Sequence, residues 1–237
     1  MSSPSDWVAA FPLRPASEAV AALQDAWRDL TSRPAWGITP KMHEPALTKT
    51  LKVYIENVTA PERGLLGMWT AEDVIGEIAP ATATLIEERR TDIVYGWNDA
   101  SRDMRLVFEF KRLGRGNRHL RHYLEDEGLG RFVTGIYSRK QALAAMVGVL
   151  LDPEAEVVPA IRKALEDPAL GTKLRLRPGP GGRPYCRPSA LFTTADFDTE
   201  HDREPALAPS HGMICVSHFF LEFGYPTTTR GPKKSKS

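Results

Sequence analysis

The chain has 237 residues, 42% of them hydrophobic and 26% charged, a composition that suits a globular protein large enough to bury a core. Its 31 basic and 30 acidic residues nearly cancel, so overall charge attracts neither a polyanion nor an anionic membrane, and any nucleic-acid footprint has to be local. Cys186 and Cys215, with no CxxC and no histidine at ligand spacing, argue against a disulfide scaffold and a zinc knuckle and fit a reducing cytoplasm. No run of about eighteen apolar residues is present, and the opening MSSPSDWVAAFPLRP has neither a basic start nor a long apolar stretch. An unexported cytoplasmic protein without a membrane partner is expected.

Residues 17–31 place Val20, Leu23, Trp27 and Leu30 at helical spacing behind Ser17, which predicts an amphipathic helix capped by that serine. It belongs to an N-terminal helical extension, residues 1–39, ahead of a main domain at 40–225. Residues 44–58 carry Leu47, Leu51, Tyr54 and Ile55 on one stripe, with Pro45 tolerated in the first turn and Glu44 at the N-terminal end. After a variable stretch rich in Gly, Ala and Pro the period changes to two. TDIVYGW (91–97), a polar turn (98–103) and MRLVFEFKRL (104–113) predict an antiparallel hairpin. In its second arm Met104, Leu106, Phe108 and Phe110 share one face, and Arg105, Val107, Glu109 and Lys111 share the other.

Farther along, residues 116–127 read as a helix, 131–138 as a strand and 139–151 as an apolar helix lying on a sheet. Residues 154–166 give a helix interrupted by Pro159, 173–177 a short strand, 177–184 a loop and 213–223 a last strand. The basic tail at 226–237 is expected to be disordered. The succession implies a mixed sheet with helices on its faces.

Glu109 and Lys111 stand two apart on a strand, so a carboxylate and an ammonium project from the same side, and the neighbouring arm brings Asp92 beside them. An ordinary half-exposed strand also carries such charge pairs. The added acid argues for chemistry, because a hard cation such as Mg²⁺ takes one or two carboxylates and completes its shell with water and substrate phosphate. Lys111 would position or activate a water there.

An acid on one strand followed on the next by Glu109-x-Lys111 between hydrophobic residues resembles the signature of the PD-(D/E)XK nuclease superfamily, with Thr91 standing where its proline would be. YLEDEGLGRFVTGIYS (123–138) and RKQALAAMVGVLL (139–151) are similar to a run in a bacterial subgroup found among phage-defence and mobile-element proteins, so the likeness covers residues 40–150. It implies a restriction-endonuclease-like α/β fold, a mixed β-sheet flanked by helices. It further implies Mg²⁺, or Mn²⁺ in its place, on Asp92, Glu109 and Glu44, the last matching a glutamate on the helix before the hairpin. Glu56, Glu87 and Glu88 are other candidates for that role, and the plain structural role for Glu44 is to stabilise a helix N-terminus. The implied activity is cleavage of DNA, with RNA as the alternative, in anti-phage defence beside a larger partner such as a helicase. A catalytically inactive copy that binds nucleic acid or scaffolds a complex is the alternative, and the oligomeric state is left open.

Around Lys111 the run KRLGRGNRHLRH holds Arg112, Arg115, Arg118 and Arg121 with His119 and His122 and no acid, which suits a phosphate backbone as well as a solvated helix face. Arg131 can place a guanidinium on a phosphate. His201 and Arg203 can meet His218 at the rim of a groove, although a histidine in a strand as apolar as MICVSHFFLEF is more often a hydrogen-bonded core residue. Tyr123 reads as packing and Gln141 as surface. Phosphate loops, a Rossmann fingerprint, a nucleophile elbow and the kinase set are absent, as are zinc spacings and, at Asp196, Asp198, Glu200 and Asp202, the order of a calcium loop.

Overall fold

The structure, a computed structural model, describes residues 13–33, 36–79, 84–99, 102–208 and 212–223. The tail expected at 226–237 lies outside them. Small and apolar residues recur every three to four positions from Ala16 to Leu30, and helix α1 (Leu13–Ser32) buries that stripe, Ala16, Ala19, Leu23, Ala26, Trp27 and Leu30 among it. The helix already runs at Leu13, so Ser17 lies exposed within it and is not its cap. Helix α2 (Glu44–Tyr54) starts with Pro45 near its N-terminus, where a missing N–H is harmless, and continues through a π turn, Ile55–Thr59, into a short helical turn, Ala60–Glu62. Thr59 donates its hydroxyl to the Ala22 carbonyl at 2.8 Å, fastening the π turn to α1.

Six strands form one mixed sheet: β1 (Met68–Ala79), β2 (Thr84–Asp99), β3 (Arg102–Leu113), β4 (Leu143–Leu150), β5 (Phe197–Asp202) and β6 (Met213–Leu221), in the order β1-β2-β3-β4-β6-β5. The first three are antiparallel to one another; β3, β4 and β6 are parallel; and β5 closes the far edge antiparallel to β6. α1 and α2 cover one face, packing against Leu106, Phe108, Phe110, Ala145, Val147 and Phe219. Helices α3 (Asn117–Leu124), α4 (Leu129–Val133) and α5 (Glu154–Leu165) cover the other, against Val94, Val107, Met146, Ile214 and Val216. Leu106, Phe108 and Phe110 are at most 1% exposed, and each buried side chain of that size contributes roughly 1.5–3 kcal/mol. α6 (Pro168–Lys173) follows α5, capped by the Asp167 carboxylate on the Ala169 N–H.

The hairpin, the helices at 44 and 117 and the last strand stand where the sequence puts them; several other segments do not. Residues 139–151 contain β4 instead of a helix. This strand is buried on both faces between two parallel neighbours, so its run of apolar residues has no period to read. Residues 131–138 hold the end of α4 and an irregular turn with positive φ at Gly135 and Ser138, not a strand. KLRLR at 173–177 contributes only a single bridge, Leu176 to His201. Strands β1 and β5 arise where no strand is expected; β1 pairs with the whole first half of β2, which begins at Thr84. α5 is unbroken, because Pro159 sits on its exposed side, where solvent reaches the carbonyl that the missing N–H leaves.

Candidate functional site

The site begins at a fork in the sheet. β2 pairs with β1 from Thr84 to Gly96 but with β3 only from Ile93 onward, while β3 pairs with β4 from Phe108 to Leu113. At Asp92 and Glu109, therefore, the two arms of the hairpin part. The Asp92 carboxylate sits at the fork and takes the Phe110 N–H at 2.8 Å, a donor that an unbroken ladder would have given to β2.

Glu109 is 1% exposed, on the face of β3 opposite Phe108 and Phe110. Lys111 donates to its Oε1 at 2.7 Å and approaches Glu44 Oε1 at 3.5 Å. The other Glu44 oxygen accepts the Arg112 N–H at 3.0 Å, so Glu44 reaches from the start of α2 and fixes the end of β3. Three carboxylates thus surround one ammonium. Glu109 Oε2 is buried and has no hydrogen-bond partner.

Electrostatics describe the same demand. Burial, and next the Asp92 carboxylate beside it, push Glu109 up to about 8. Burial also raises Asp92, against the pull of Lys111 and of the Phe110 N–H, and a proton on Glu109 would bridge to it. Burial works against the Lys111 ammonium, but Glu109, Glu44 and Asp92 outweigh it and hold the lysine charged. A proton or a cation belongs between Asp92 and Glu109. The donors are hard oxygens, one of them orphaned, which fits a divalent metal. Among the described residues no group of three or more Asp, Glu, His or Cys side chains can hold a metal ion. The residues that fit one are Asp92 and Glu109, with the rest of the shell left to water and phosphate; Glu44 is engaged with Lys111 and the Arg112 amide.

The basic residues separate into three groups. Arg118 and Arg121 are exposed on α3, and Arg118 donates to His122 at 3.3 Å. Arg115 is exposed but paired with Glu156 at 2.8 Å, and Arg112 is half-buried with its guanidinium on the Pro40 carbonyl. Arg131 donates to the Tyr137 hydroxyl, and its charge favours the Glu109 carboxylate. Tyr137 was not anticipated: it lies in the irregular turn, and no local pattern marks it. Glu56 is exposed and pairs with Lys52 at 2.7 Å.

His201 and Arg203, expected at a groove rim, are buried instead, at 0% and 5% exposed. The Arg203 guanidinium takes the carbonyls of Phe132 and Ser138 at 2.8 Å, Tyr137 at 2.9 Å and Gln141 at 3.4 Å, and so holds together the turn that carries Tyr137. Gln141 accepts the Arg105 N–H at 3.4 Å. His201, Thr199, His218 and Tyr123 form a chain of hydrogen bonds of 2.8–2.9 Å that ends on the Leu174 carbonyl. A carbonyl only accepts, which orders every proton: Tyr123 O–H to His218 Nδ1, His218 Nε2–H to the Thr199 oxygen, Thr199 O–H to His201 Nε2, His201 Nδ1–H to Leu174. Burial pushes both imidazoles down, His201 to about 4, so both are neutral. His218 is the hydrogen-bonded core residue its strand predicts. No protein-family model, no curated protein and no solved structure matches the chain.

Proposed function

We propose that the chain is a metal-dependent nuclease that hydrolyses phosphodiester bonds, with DNA the favoured substrate. The observation that supports this most is the fork itself: it brings Asp92, Glu109 and Lys111 together in a buried site that has one positive charge too few and one carboxylate oxygen without a partner. Asp92 on one strand, Glu109-x-Lys111 on its neighbour and Glu44 on the preceding helix also match the superfamily pattern, and the helix-flanked mixed sheet suits a restriction-endonuclease-like fold.

A divalent ion held by Asp92 and Glu109 would neutralise charge on the phosphate and acidify a water. The chain's own residues do the remainder. Lys111, kept charged by its three acids, donates hydrogen bonds to a phosphate oxygen or an attacking water and stabilises negative charge as it develops. It does not take up a proton. Glu44 holds Lys111 in place, Phe108 and Phe110 anchor β3 from the other face, and Arg131 adds a second cation on the side of Glu109. A role in phage defence and recruitment to a helicase-like partner rest on the family likeness alone.

The test is incubation of purified protein with plasmid, linear and single-stranded DNA and RNA in Mg²⁺, Mn²⁺ or EDTA, beside Lys111→Ala and Glu109→Gln. Metal-dependent cutting lost in both well-folded variants is expected. Silence on every substrate from a folded wild type would favour an idle copy of the fold.

A further inference from the structure

Helix α4 lies over the face of β3 that carries Glu109 and Lys111. Its Leu129, Phe132 and Val133 share one buried cluster with Val107 of β3 and with Met146, the β4 residue beside Glu109. From the middle of this helix Arg131 brings a half-buried guanidinium with five N–H groups to place. Nε donates to the Asp126 carbonyl at 3.3 Å and Nη1 to the Tyr137 hydroxyl, while the Arg131 carbonyl accepts the Tyr137 N–H at 3.0 Å. Among the described residues Nη2 has no acceptor, and no carboxylate stands within ion-pair distance of the guanidinium. Burial works against this charge, and the Tyr137 hydroxyl and then Glu109 and Glu127 support it. A fixed cation with one edge open thus stands on the side of the candidate metal acids.

The turn that follows α4 accounts for its being fixed. Ser138 and Lys140 hold φ of +52° and +61°, which L-residues adopt only under constraint, and the buried Ser138 hydroxyl has no partner among the described residues. Arg203 supplies the constraint from the far end of the sheet. Its guanidinium takes the carbonyl of Phe132, next to Arg131, together with those of Tyr137 and Ser138. Lys140 N–H is fastened to the Leu207 carbonyl at 2.9 Å. Helix and turn are thereby one body, and the side chain they hold between them is Arg131. Backbone strain maintained in this way marks positions where exact placement serves a ligand or a reaction.

We infer that Arg131 is a catalytic residue that takes a phosphate oxygen of the nucleic acid through its open Nη2, and that Tyr137 and Arg203 are the positioning residues that hold it there. This rests on the nuclease reading and deepens it: Asp92 and Glu109 serve the cation, and Arg131 serves the anion, for which a planar guanidinium is suited. Two measurements are made on wild type, Arg131→Gln, Arg131→Lys and Tyr137→Phe, with melting temperature as the control for folding. One is the anisotropy of a labelled DNA duplex and a labelled single-stranded RNA in EDTA over a salt series; the other is single-turnover cleavage in Mg²⁺ over a protein series. Arg131→Gln is expected to flatten the salt dependence of binding by about one unit and to slow cleavage at saturating protein by at least about a hundredfold. Arg131→Lys keeps the charge but not the planar fork, and Tyr137→Phe keeps the charge but not the hydroxyl that fixes it. Both should bind with the wild-type salt slope and half-saturation yet cut about tenfold more slowly. A purely structural role would lower the melting temperature without that split between affinity and rate. A wild-type salt slope in Arg131→Gln overturns the phosphate contact, as does a wild type that binds neither nucleic acid, and a wild-type cutting rate in Tyr137→Phe overturns the positioning. A wild type that cuts nothing in Mg²⁺, beside an Arg131→Gln variant that loses the salt slope, would sink the nuclease reading and leave the phosphate contact standing.

Discussion

Two buried polar clusters lie on the same face of the sheet and differ in one respect. In the chain from Tyr123 through His218, Thr199 and His201 to the Leu174 carbonyl, every donor has an acceptor and every group is neutral. At the fork, three carboxylates share one ammonium, Glu109 is pushed up to about 8, and its Oε2 faces no donor. A closed network of this kind joins elements: it ties α3, β5, β6 and the turn after α6. An open one costs stability and persists where something else completes it. His201 is expected at a groove rim and His218 in the core, and it is the closure of their hydrogen bonds that assigns both to the core.

The comparison is broken or sharpened by substitutions on both sides. The largest effect belongs to the fork. Lys111→Ala should lower cleavage by at least about a thousandfold, a barrier increase of about 4 kcal/mol, measured under single-turnover conditions with the melting temperature as control. On the closed side, His218→Ala should cost about 3–4 kcal/mol in urea unfolding, since it opens a cavity and leaves Tyr123 and Thr199 without their partner. Thr199→Val keeps the shape but strands both imidazoles, and a loss of about 2 kcal/mol is expected. A neutral result for it would mean that the chain is incidental to stability.

Acid should reveal the same network. His201 is held at about 4, below its usual value near 6.5, so between those limits the unfolded chain binds a proton that the folded one refuses. Stability from this group is complete above about pH 6.5 and falls as the pH drops toward 4, at about 1.4 kcal/mol per pH unit; His218, also pushed down by burial, adds to the slope. His201→Gln should make the acid limb of a urea stability profile shallower, and an unchanged slope would contradict the assignment. The smallest effect has the opposite sign. Glu109→Gln removes the cost of burying or protonating this carboxylate and should stabilise the metal-free protein by about 1 kcal/mol, roughly 3 °C in melting temperature.

Much of this was legible in the sequence where local pattern and tertiary role agree. The alternation of Leu106, Phe108 and Phe110 against Val107, Glu109 and Lys111 survives intact, because both faces of β3 obey the period of two. The pattern failed where burial erased the period or where distant partners replaced it. β4 is apolar on both sides, and Gly148 is there for a close approach, since a Cβ on it would come within 2.3 Å of Leu113 and 2.8 Å of Phe220. β5 looked like an acidic cluster because its buried positions, Asp198, Thr199 and His201, are polar residues satisfied from Ser189, Ser217 and His218. The turn with Tyr137 depends on Arg203, more than sixty residues away, for its carbonyls. The fork, too, is a matter of register, and no composition reports where two strands part.

The central claim of the proposed function is that Asp92 and Glu109 take up a divalent cation, and thermal melting of wild type and Glu109→Gln across a Mg²⁺ and Mn²⁺ titration tests it most directly. The account predicts that in EDTA Glu109→Gln melts at or above wild type, and that added metal raises the wild type alone, by an amount that grows with concentration. A wild type indifferent to both metals, beside a Glu109→Gln variant that melts lower in EDTA, would show that the acids are balanced as they stand and would contradict the account.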